Sequence, residues 1–348
     1  MSAAALADRL RTAGREAGLD ALGFASAEVF VSTLEDLSSR KAAGLHGGMQ
    51  FTYRDPARST DPTRILPGAR SLVVGARSYR RAAPGPVDGR ATGRVAAYAW
   101  HDHYADLGAG LTAVAEVLRA EGWTARVVAD DNALVDREAA VRAGLGWYGR
   151  NSMVLLPGAG SEFVLGSVVT DAELPVADEQ VADGCGPCRR CVDACPTGAI
   201  VAPGVIDARR CLAWLVQAPG DFPESFREAL DDRIYGCDDC QDVCPVNRRS
   251  AAAGLPPLEG DAQPRVDLIA LLRADDEALL AAHGRWYIPD RDPRYLRRNA
   301  LVALGNRGGR DDPEVRAVLV EHRDGEDALL ARHATWALGR LDAREATR

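Results

Sequence analysis

Apolar residues recur in two alternating patterns over the first 180 positions. Two segments carry apolar side chains at helical spacing, and the second ends in glycine, as helices often do. They are residues 103–122 and 133–146. Three short valine-rich runs end in polar turns and predict strands, namely residues 70–79, 124–131 and 162–171. The alternation predicts an α/β domain over residues 1–180.

The pattern near the C-terminus is helical, with a sign of repetition. Residues 294–308 and 328–341 both carry basic side chains followed by an apolar segment that ends in Ala-Leu-Gly. Their matching alanines, Ala303 and Ala337, are 34 positions apart. Similar helices at such a spacing are typical of helical repeats. We therefore predict a HEAT-like repeat domain over residues 265–348.

All eight cysteines lie between these two regions, within residues 181–250. The first four follow the bacterial ferredoxin pattern C-x2-C-x2-C-x3-C-P, in which the fourth cysteine serves a different cluster. They are Cys185, Cys188, Cys191 and Cys195. The second run has Cys237, Cys240 and Cys244-Pro but lacks a leading cysteine, and Cys211 supplies the missing thiol.

The crossed ligation of ferredoxins divides these thiols into two groups of four. One cluster takes Cys185, Cys188, Cys191 and Cys244, and the other takes Cys195, Cys211, Cys237 and Cys240. Structural zinc is the alternative, because two C-x2-C pairs can form an all-thiolate site. Zinc explains neither the third cysteine of the first run nor the two Cys-Pro endings. We therefore predict a ferredoxin-like domain over residues 181–250 with two [4Fe–4S] clusters, whose ligation substitutes for a core.

Composition and charge limit where the protein works. The chain has 348 residues, of which 47% are hydrophobic and 26% charged, as expected of roughly two or three globular domains. No apolar run approaches the ~20 residues of a membrane span, and residues 1–24 predict a charged amphipathic helix. We expect a cytoplasmic protein with no membrane association, where disulfides are disfavoured. The net charge of −8 is the wrong overall sign for a general nucleic-acid binder.

Three segments, in this order, resemble the epoxyqueuosine reductase family. They are residues 128–155 (VADDNALVDREAAVRAGLGWYGRNSMVL), the double-cluster segment, and residues 296–306 (LRRNALVALGN). The resemblance covers nearly the whole chain. It implies an α+β multidomain protein, with a nitroreductase-like α/β domain that binds base-off cobalamin, a ferredoxin-like domain, and helical repeats that hold tRNA.

The resemblance also implies a reaction. The epoxide of epoxyqueuosine, at the wobble position of a tRNA anticodon, is reduced to the alkene of queuosine. Two electrons and two protons enter, and the oxygen leaves as water. Acid–base side chains cannot supply electrons, so an external low-potential donor is required, with the clusters and cobalamin carrying its electrons.

The family's proton-donating aspartate corresponds to Asp130, which precedes the GLGW segment by the family's interval. Asp131 is the alternative if the alignment shifts by one residue. An ordinary aspartate is ionised at neutral pH, so a proton donor needs a pKa raised by burial. Without the resemblance, the favoured explanation of both aspartates is structural: they end a strand and cap a helix that begins near Asn132.

Cobalamin-contacting residues follow from the same resemblance. Asn151 and Ser152 lie in the family's glycine-rich segment, and Arg58 falls near the basic residue that precedes Leu-Pro-Gly-Ala. Tyr98 and Trp100 lie where the family shows Y-A-x-G-x-D-Y-H. The alternative for all five is ordinary loop and helix-cap chemistry.

The chain departs from the family pattern in the same regions. His103 and Ala105 replace the aspartate and histidine of the tyrosine motif. The segment DDNALVD, which begins at Asp130, replaces the commoner D-x-x-P-x-x-E. The pair His101 and His103 is able to bind a metal, although such a pair near a helix start is more often a polar surface or pocket edge.

Residues 285–310 combine arginines with interleaved aromatic residues. Arginine suits phosphates, and aromatic rings suit unstacked bases. A solvated helix face over an aromatic core explains the same pattern equally well, and the resemblance favours tRNA contact. We predict that Arg285, Arg297, Arg298 and Asn299 contact tRNA.

Two other functions compete with the cobalamin enzyme. A ferredoxin-type electron-transfer protein needs no α/β domain before its clusters. A reductive dehalogenase-like corrinoid enzyme acting on a small molecule usually carries an export signal and lacks helical repeats. Bound corrinoid separates the enzymes from the carrier, and affinity for an anticodon stem-loop separates the two enzymes. We expect the protein to be a monomer.

Overall fold

The computed structural model describes residues 2–83, 85, 91–177 and 179–343. The first helices are α1 Ala3–Glu16, α2 Val31–Ala42, α3 Pro56–Ser59, α4 His103–Ala120 and α5 Asp136–Arg142. The cysteine region contains α6 Arg190–Asp193, α7 Leu212–Leu215, α8 Glu224–Leu230, α9 Asp239–Asp242 and α10 Pro245–Ala251. The last helices are α11 Leu268–Arg273, α12 Asp276–His283, α13 Arg294–Arg307, α14 Pro313–Arg323 and α15 Ala328–Ala343.

The strands are shorter than most of the helices. They are β1 Ala21–Ser26, β2 Ser71–Ser78, β3 Thr92–Val95, β4 Ala125–Ala129, β5 Trp147–Tyr148, β6 Val154–Leu155, β7 Phe163–Thr170, β8 Ile200–Ala202, β9 Val205–Ile206, β10 Arg233–Tyr235 and β11 Arg265–Asp267. Short 3-10 helices occur at Pro62–Arg64, Ala97–Ala99 and Pro289–Arg291.

Four antiparallel strands form the main sheet of the first region, in the order β1-β2-β7-β4. Strands β2, β4 and β7 are the three valine-rich runs, so the sequence prediction of these strands is confirmed. Helices α1 and α4 cover one face and α5 packs on the other. Because both faces are covered, β7 is buried along almost its whole length instead of alternating between apolar and polar residues.

The N-terminal helix is shorter than the amphipathic segment predicted for residues 1–24. Helix α1 ends at Glu16, and the chain then turns back as edge strand β1. Gly18 makes this reversal with a φ of +84°, a conformation that costs glycine little. The reversal is local, so helical spacing alone did not reveal it.

A second sheet takes one strand from each of the three predicted domains. Strand β3 lies in the centre, with β10 parallel on one side and β11 antiparallel on the other. A continuous hydrophobic core joins Val95 and Trp100 to Ile234 and to the C-terminal helices. The three regions are therefore tied together by backbone hydrogen bonds and by a shared core.

The two similar C-terminal segments become α13 and α15, which pack closely on each other. Ala303 and Ala337 are both fully buried in this contact region. A Cβ placed on Gly305 would lie 2.8 Å from the Cα of Ala337, so glycine is needed for the close approach. In the part of the chain that the structure describes, no helix is long and apolar enough to span a bilayer.

Candidate active site

The eight cysteines fall into two spatial groups. Burial raises the pKa of Cys191, and the neighbouring Cys185 and Cys244 thiols raise it further. Cys244 therefore lies with the first run, although it follows the second run in sequence. These are the neighbours that the crossed ligation requires for one cluster.

The other group has the complementary membership. Burial raises the pKa of Cys211, with Cys195 as a neighbouring thiol. Burial also raises the pKa of Cys237 to about 12, and the charges of Asp239 and Cys211 act in the same direction. The pKa of Cys240 is raised by burial and by the neighbouring Cys237 and Cys211. The two groupings support the crossed assignment, and the individual ligands stay a prediction.

Short helices position these thiols. Cys211 and Cys244 are the residues immediately before α7 and α10, and Cys191 and Cys240 lie within α6 and α9. Helices α6 and α9 pack against each other. The backbone N–H of Ala199 donates to Cys195 Sγ at 3.2 Å, the type of hydrogen bond that tunes cluster-ligating sulfurs.

A cavity of about 870 Å³ lies between the α/β region and the cysteine region. Its polar and sulfur-bearing lining includes Tyr79, Tyr98, Tyr104, Asp130, Asp136, Arg137, Tyr148, Asn151, Ser152, Gln217 and Gln241, together with Cys195, Cys211, Cys237 and Cys240. The four cysteines are the complete second group. The cavity therefore brings the predicted acid, several tyrosines and one predicted cluster site to a single space.

Asp130 follows the last residue of β4 and lines this cavity. Its φ of +50° is uncommon for a residue with a side chain, although aspartate tolerates it better than most. Burial raises the pKa of Asp130, and the charges of Asp102 and Asp131 raise it further. The shift has the direction that a proton donor needs.

Asp131 has a different environment. It is exposed, and its Oδ1 accepts a hydrogen bond from the backbone N–H of Ala133 at 2.8 Å. Asp131 thus closes a turn after β4 and does not cap a helix, whereas Asp130 lines the cavity. Helix α5 begins only at Asp136, later than the start near Asn132 that the alternative assumed.

Arg58 supports the loop of Asp130 from behind. Its Nη1 donates to Asn132 Oδ1 at 2.8 Å, and Ser59 Oγ donates to the carbonyl oxygen of Asn132 at 2.6 Å. The N–H of Val135 donates to the carbonyl of Ser59 at 3.0 Å. Among the described residues, Arg58 does not line the cavity. The structure thus gives Arg58 a role in bracing this loop, and its cobalamin contact stays a prediction.

Three of the other predicted cobalamin contacts reach the cavity, and Trp100 does not. Tyr98, Asn151 and Ser152 line it, with Ser152 at a φ of +63°. Trp100 is buried in the core shared with the C-terminal helices, and its Nε1 donates to Val95 O at 2.7 Å. The predicted cobalamin contact of Trp100 is therefore corrected to a packing role.

Sequence reasoning missed three cavity residues close to Asp130, namely Tyr104, Asp136 and Arg137. Burial raises the pKa of Asp136 well above its usual range, and the charge of Asp130 raises it further. Burial also raises the pKa of Tyr104. Asp136 and Arg137 lie within residues 128–155, which carried the resemblance, and Tyr104 lies in the segment compared with the family's tyrosine motif. All three are at helix starts, where polar residues are common for structural reasons.

The predicted tRNA contacts are bound within the protein. Arg298 and Asn299 are fully buried, and their side chains donate to backbone carbonyls of the segment that follows Cys211. This burial corrects the prediction that they touch tRNA. Arg297 pairs with Asp276 and donates to the carbonyl of Ala274.

Arg285 is also engaged by the protein. Its guanidinium donates to the carbonyls of Ala99, Trp100 and His101. These bonds use most of its donor groups, so the structure favours a structural role for Arg285.

The histidine pair is not arranged around a common ion. His101 contacts Asp261 at 2.7 Å and Asp106 at 3.3 Å. His103 is buried, which lowers its pKa to about 4. Within the described residues, no three His, Cys, Asp or Glu side chains are placed to hold a single metal ion.

Comparison with known proteins adds evidence from outside the chain. The model of the 4Fe-4S double cluster binding domain matches residues 184–247. The epoxyqueuosine reductase of Xanthomonas campestris pv. campestris is 36% identical over 342 residues, which cover 95% of both chains. The family match decides between iron–sulfur clusters and zinc in favour of the former.

Solved structures agree over the whole chain. A crystal structure of epoxyqueuosine reductase with an epoxyqueuosine-modified tRNA-Tyr stem loop has a TM-score of 0.88 and 29% identity, covering 98% of this chain and 91% of that one. The Bacillus subtilis enzyme, with its aspartate-bearing catalytic loop swung out of the active site, has a TM-score of 0.85, 29% identity, and coverage of 98% and 91%. This chain therefore belongs to the epoxyqueuosine reductase family.

Proposed function

We propose that this protein reduces the epoxide of epoxyqueuosine in tRNA to queuosine. It does so with cobalamin in the cavity and two [4Fe–4S] clusters held by the eight cysteines. Family membership supports the reaction class, since 36% identity extends over nearly the full length of both chains. The proposal excludes a free-standing electron carrier, because the family is one of enzymes with a substrate of their own.

The observation that carries the proposal is that one cavity is lined by both the predicted acid and a group of four cysteines. Asp130 lies on one part of its wall, and Cys195, Cys211, Cys237 and Cys240 lie on another. Reduction of an epoxide needs both electrons and protons. A site that joins an acid of raised pKa to a cluster-binding group provides both at one place.

The cavity fits a large cofactor. Its volume of about 870 Å³ is at the upper end of the range typical of small-molecule sites. Aromatic and apolar side chains from the α/β region cover much of the wall, among them Leu134, Phe163 and Leu165. Tyr98, Asn151 and Ser152 would contact the corrin. When bound, cobalamin supplies low-potential electrons that break carbon–oxygen bonds.

Asp130 would deliver a proton to the departing oxygen. Its raised pKa keeps a larger fraction protonated at neutral pH than an ordinary aspartate. Its left-handed backbone aims the side chain into the cavity at a conformational cost, and such strain is concentrated at functional sites. The relative from Bacillus subtilis carries its catalytic aspartate on a loop, and Asp130 lies on the loop between β4 and α5.

The tRNA substrate is supported by the relative solved with a modified stem loop. Because the predicted arginine contacts are engaged within the protein, we assign base stacking to the rim of the cavity instead. Phe51 and Tyr148 line the cavity and are both exposed. Exposed aromatic rings are suited to a base that has left its stack.

We also propose the finer organisation that the sequence resemblance implies. The α/β region is nitroreductase-like, the C-terminal helices are HEAT-like repeats, and the domains span residues 1–180, 181–250 and 265–348. The protein acts in the cytoplasm on tRNA, as a monomer, and takes electrons from an external low-potential donor.

Anaerobic reconstitution tests the function. The full chain, loaded with iron, sulfide and cobalamin, is incubated with a reductant and an anticodon stem-loop that contains epoxyqueuosine, and the nucleosides are measured by mass spectrometry. Conversion to queuosine that requires cobalamin supports the proposal. Binding of both cofactors without conversion refutes it, and a matched stem-loop with unmodified guanosine serves as the substrate control.

A further inference from the structure

The proposed reaction consumes two protons at one oxygen atom. Both carbon–oxygen bonds of the epoxide break, a carbon–carbon double bond forms, two electrons enter, and the oxygen leaves as water. A single carboxyl group holds one proton at a time. Asp130 therefore has to be reprotonated within each turnover, or a second group has to supply the other proton.

Asp136 lies in the same cavity as Asp130. It is the first residue of α5 and follows the loop that Arg58 and Ser59 brace. Its Oδ1 is inaccessible to solvent and has no hydrogen-bond partner among the described residues. Asp136 as a whole is half-buried, but a carboxylate oxygen that is hidden from water and lacks a partner is costly, and the neutral acid is tolerated better.

Besides burial, three charged groups act on the protonation of Asp136. Asp130 and Asp131 favour its neutral form, and Arg137 favours its charged form. Tyr104 on α4 faces both Asp130 and Asp136 and is itself buried, so it stays neutral. Arg137 Nη1 donates to Ser152 O at 3.2 Å, and the described residues show no ion pair between Arg137 and Asp136.

We infer that Asp136 is a positioning residue that stores a proton and passes it to Asp130, so that the second proton reaches the departing oxygen. The inference rests on the proposed function and extends it to the supply of protons. It accounts for a half-buried acid whose inaccessible Oδ1 has no hydrogen-bond partner among the described residues. Burial and the neighbouring carboxyl raise the pKa of Asp136, which agrees with storage of a proton at neutral pH.

Single-turnover rates of the reconstituted enzyme test the relay. Asp136→Asn keeps the size of the side chain but cannot exchange a proton. We expect it to lower the rate about tenfold or more at pH 8 and by less at pH 6, where solvent reloads Asp130 more readily. In the parent protein, two coupled carboxyl groups titrate, so the rate should fall in two steps as the pH rises. In Asp136→Asn the rate should fall in a single step at lower pH, because the coupled partner of Asp130 is gone.

Two further variants separate the relay from simpler effects. Asp131→Asn removes a charge beside Asp130 but leaves the cavity lining unchanged. It should keep both steps of the pH profile, shifted slightly to lower pH because the Asp131 charge raises the pKa of both carboxyls, with a rate at pH 6 within about twofold of the parent protein. Asp136→Glu restores a carboxyl and should recover most of the rate and the second step. A loss in Asp136→Asn that is equal at both pH values and not rescued by Glu shows a purely structural role and overturns the inference.

An infrared measurement needs neither cofactor nor substrate. Burial raises the pKa of Asp238 to about 7, so that residue contributes a protonated carboxyl band to every variant at pH 7. The full chain should show an additional band that is lost in Asp136→Asn and persists in Asp131→Asn. A parent spectrum without such a band, or one unchanged by the substitution, overturns the inference. If the parent enzyme fails to convert the modified stem-loop, the proposed function fails, while the infrared result still decides whether Asp136 stores a proton.

Discussion

Replacing Arg298 with methionine tests whether this residue is structural or binds tRNA. The guanidinium is fully buried in α13 and donates to the carbonyls of Leu215, Val216, Ala218 and Gly220. Burial lowers its pKa to about 10, so it is still charged at neutral pH. It therefore fastens the C-terminal helices to the segment that follows the cluster cysteine Cys211.

The structure sets the expected size of the effect. Methionine fills most of the arginine volume but leaves several buried carbonyls without a donor, and each costs roughly 1–3 kcal/mol. Some of these carbonyls will recruit water, so we expect a total loss of about 3–5 kcal/mol, as for other broken buried charge networks. Arg297→Met is the matched control, because Asp276 in its ion pair is largely exposed and the pair is worth about 0.5 kcal/mol.

Urea denaturation of the apo-protein measures the stability loss, and fluorescence anisotropy measures affinity for the anticodon stem-loop. We expect Arg298→Met to lower the urea midpoint strongly and Arg297→Met to change it little. The reasoning is refuted if Arg298→Met keeps its midpoint and its iron content but loses affinity for the stem-loop. That result would return Arg298 to the tRNA interface despite its burial.

Three other changes test separate parts of the site. Asp130→Asn should lower the single-turnover rate by about 10²–10⁴-fold while both cofactors stay bound. Because Asp130 must be protonated to act, the rate of the parent protein should be highest below the raised pKa of Asp130 and fall as the pH rises through it. Cys244→Ser and Cys195→Ser should each reduce the iron content from about eight to about four, and electron paramagnetic resonance should show that they remove different clusters. Burial lowers the pKa of His333 to about 4. The free energy of unfolding should therefore be highest above pH ~6.5 and fall by about 1–3 kcal/mol towards pH 4, because the unfolded chain binds the proton first. Urea titrations at pH 7 and pH 5 should show a smaller difference for His333→Gln than for the parent protein.

The sequence was most informative where chemistry depends on spacing within a short segment. The cysteine runs indicated two clusters because cluster geometry constrains loops of two or three residues. The main strands were recognisable because both sheet faces are buried. Asp130 could be separated from Asp131 only in the structure, since the two differ in the direction of their side chains and not in residue type.

Arginine patterns were the least informative. Arg285, Arg297 and Arg298 have the composition of a phosphate-binding surface, yet each guanidinium is engaged by carbonyls or carboxylates of this chain. The carbonyl partners of Arg298 lie in the segment after Cys211 and those of Arg285 around Ala99, while Arg297 is bound by the preceding helical segment at Ala274 and Asp276. Local sequence cannot distinguish an arginine that joins two segments of the protein from one that binds a phosphate group of a ligand, because both roles need a long side chain with many hydrogen-bond donors.

The second sheet explains why a cluster site borders the cavity. Strands β3 and β10 are parallel neighbours, so the residues that follow them emerge at the same edge of the sheet. Tyr98 follows β3 and Cys237 follows β10, and both line the cavity. Gly236 allows this approach, because a Cβ there would lie 2.4 Å from that of Ala96.

A hydrogen bond then fixes the two segments together at this edge. Asp238 Oδ2 accepts from the backbone N–H of Ala97 at 2.7 Å, next to Cys237 and Tyr98. Tyr98 in turn accepts a hydrogen bond from Gln217 Nε2 at 3.3 Å, on the segment that follows Cys211. The edge of the second sheet thus places Cys237, a member of the second cysteine group, beside Tyr98 in the lining of the cavity. Electron supply and substrate reduction are brought together by the pairing of two short strands that lie far apart in sequence.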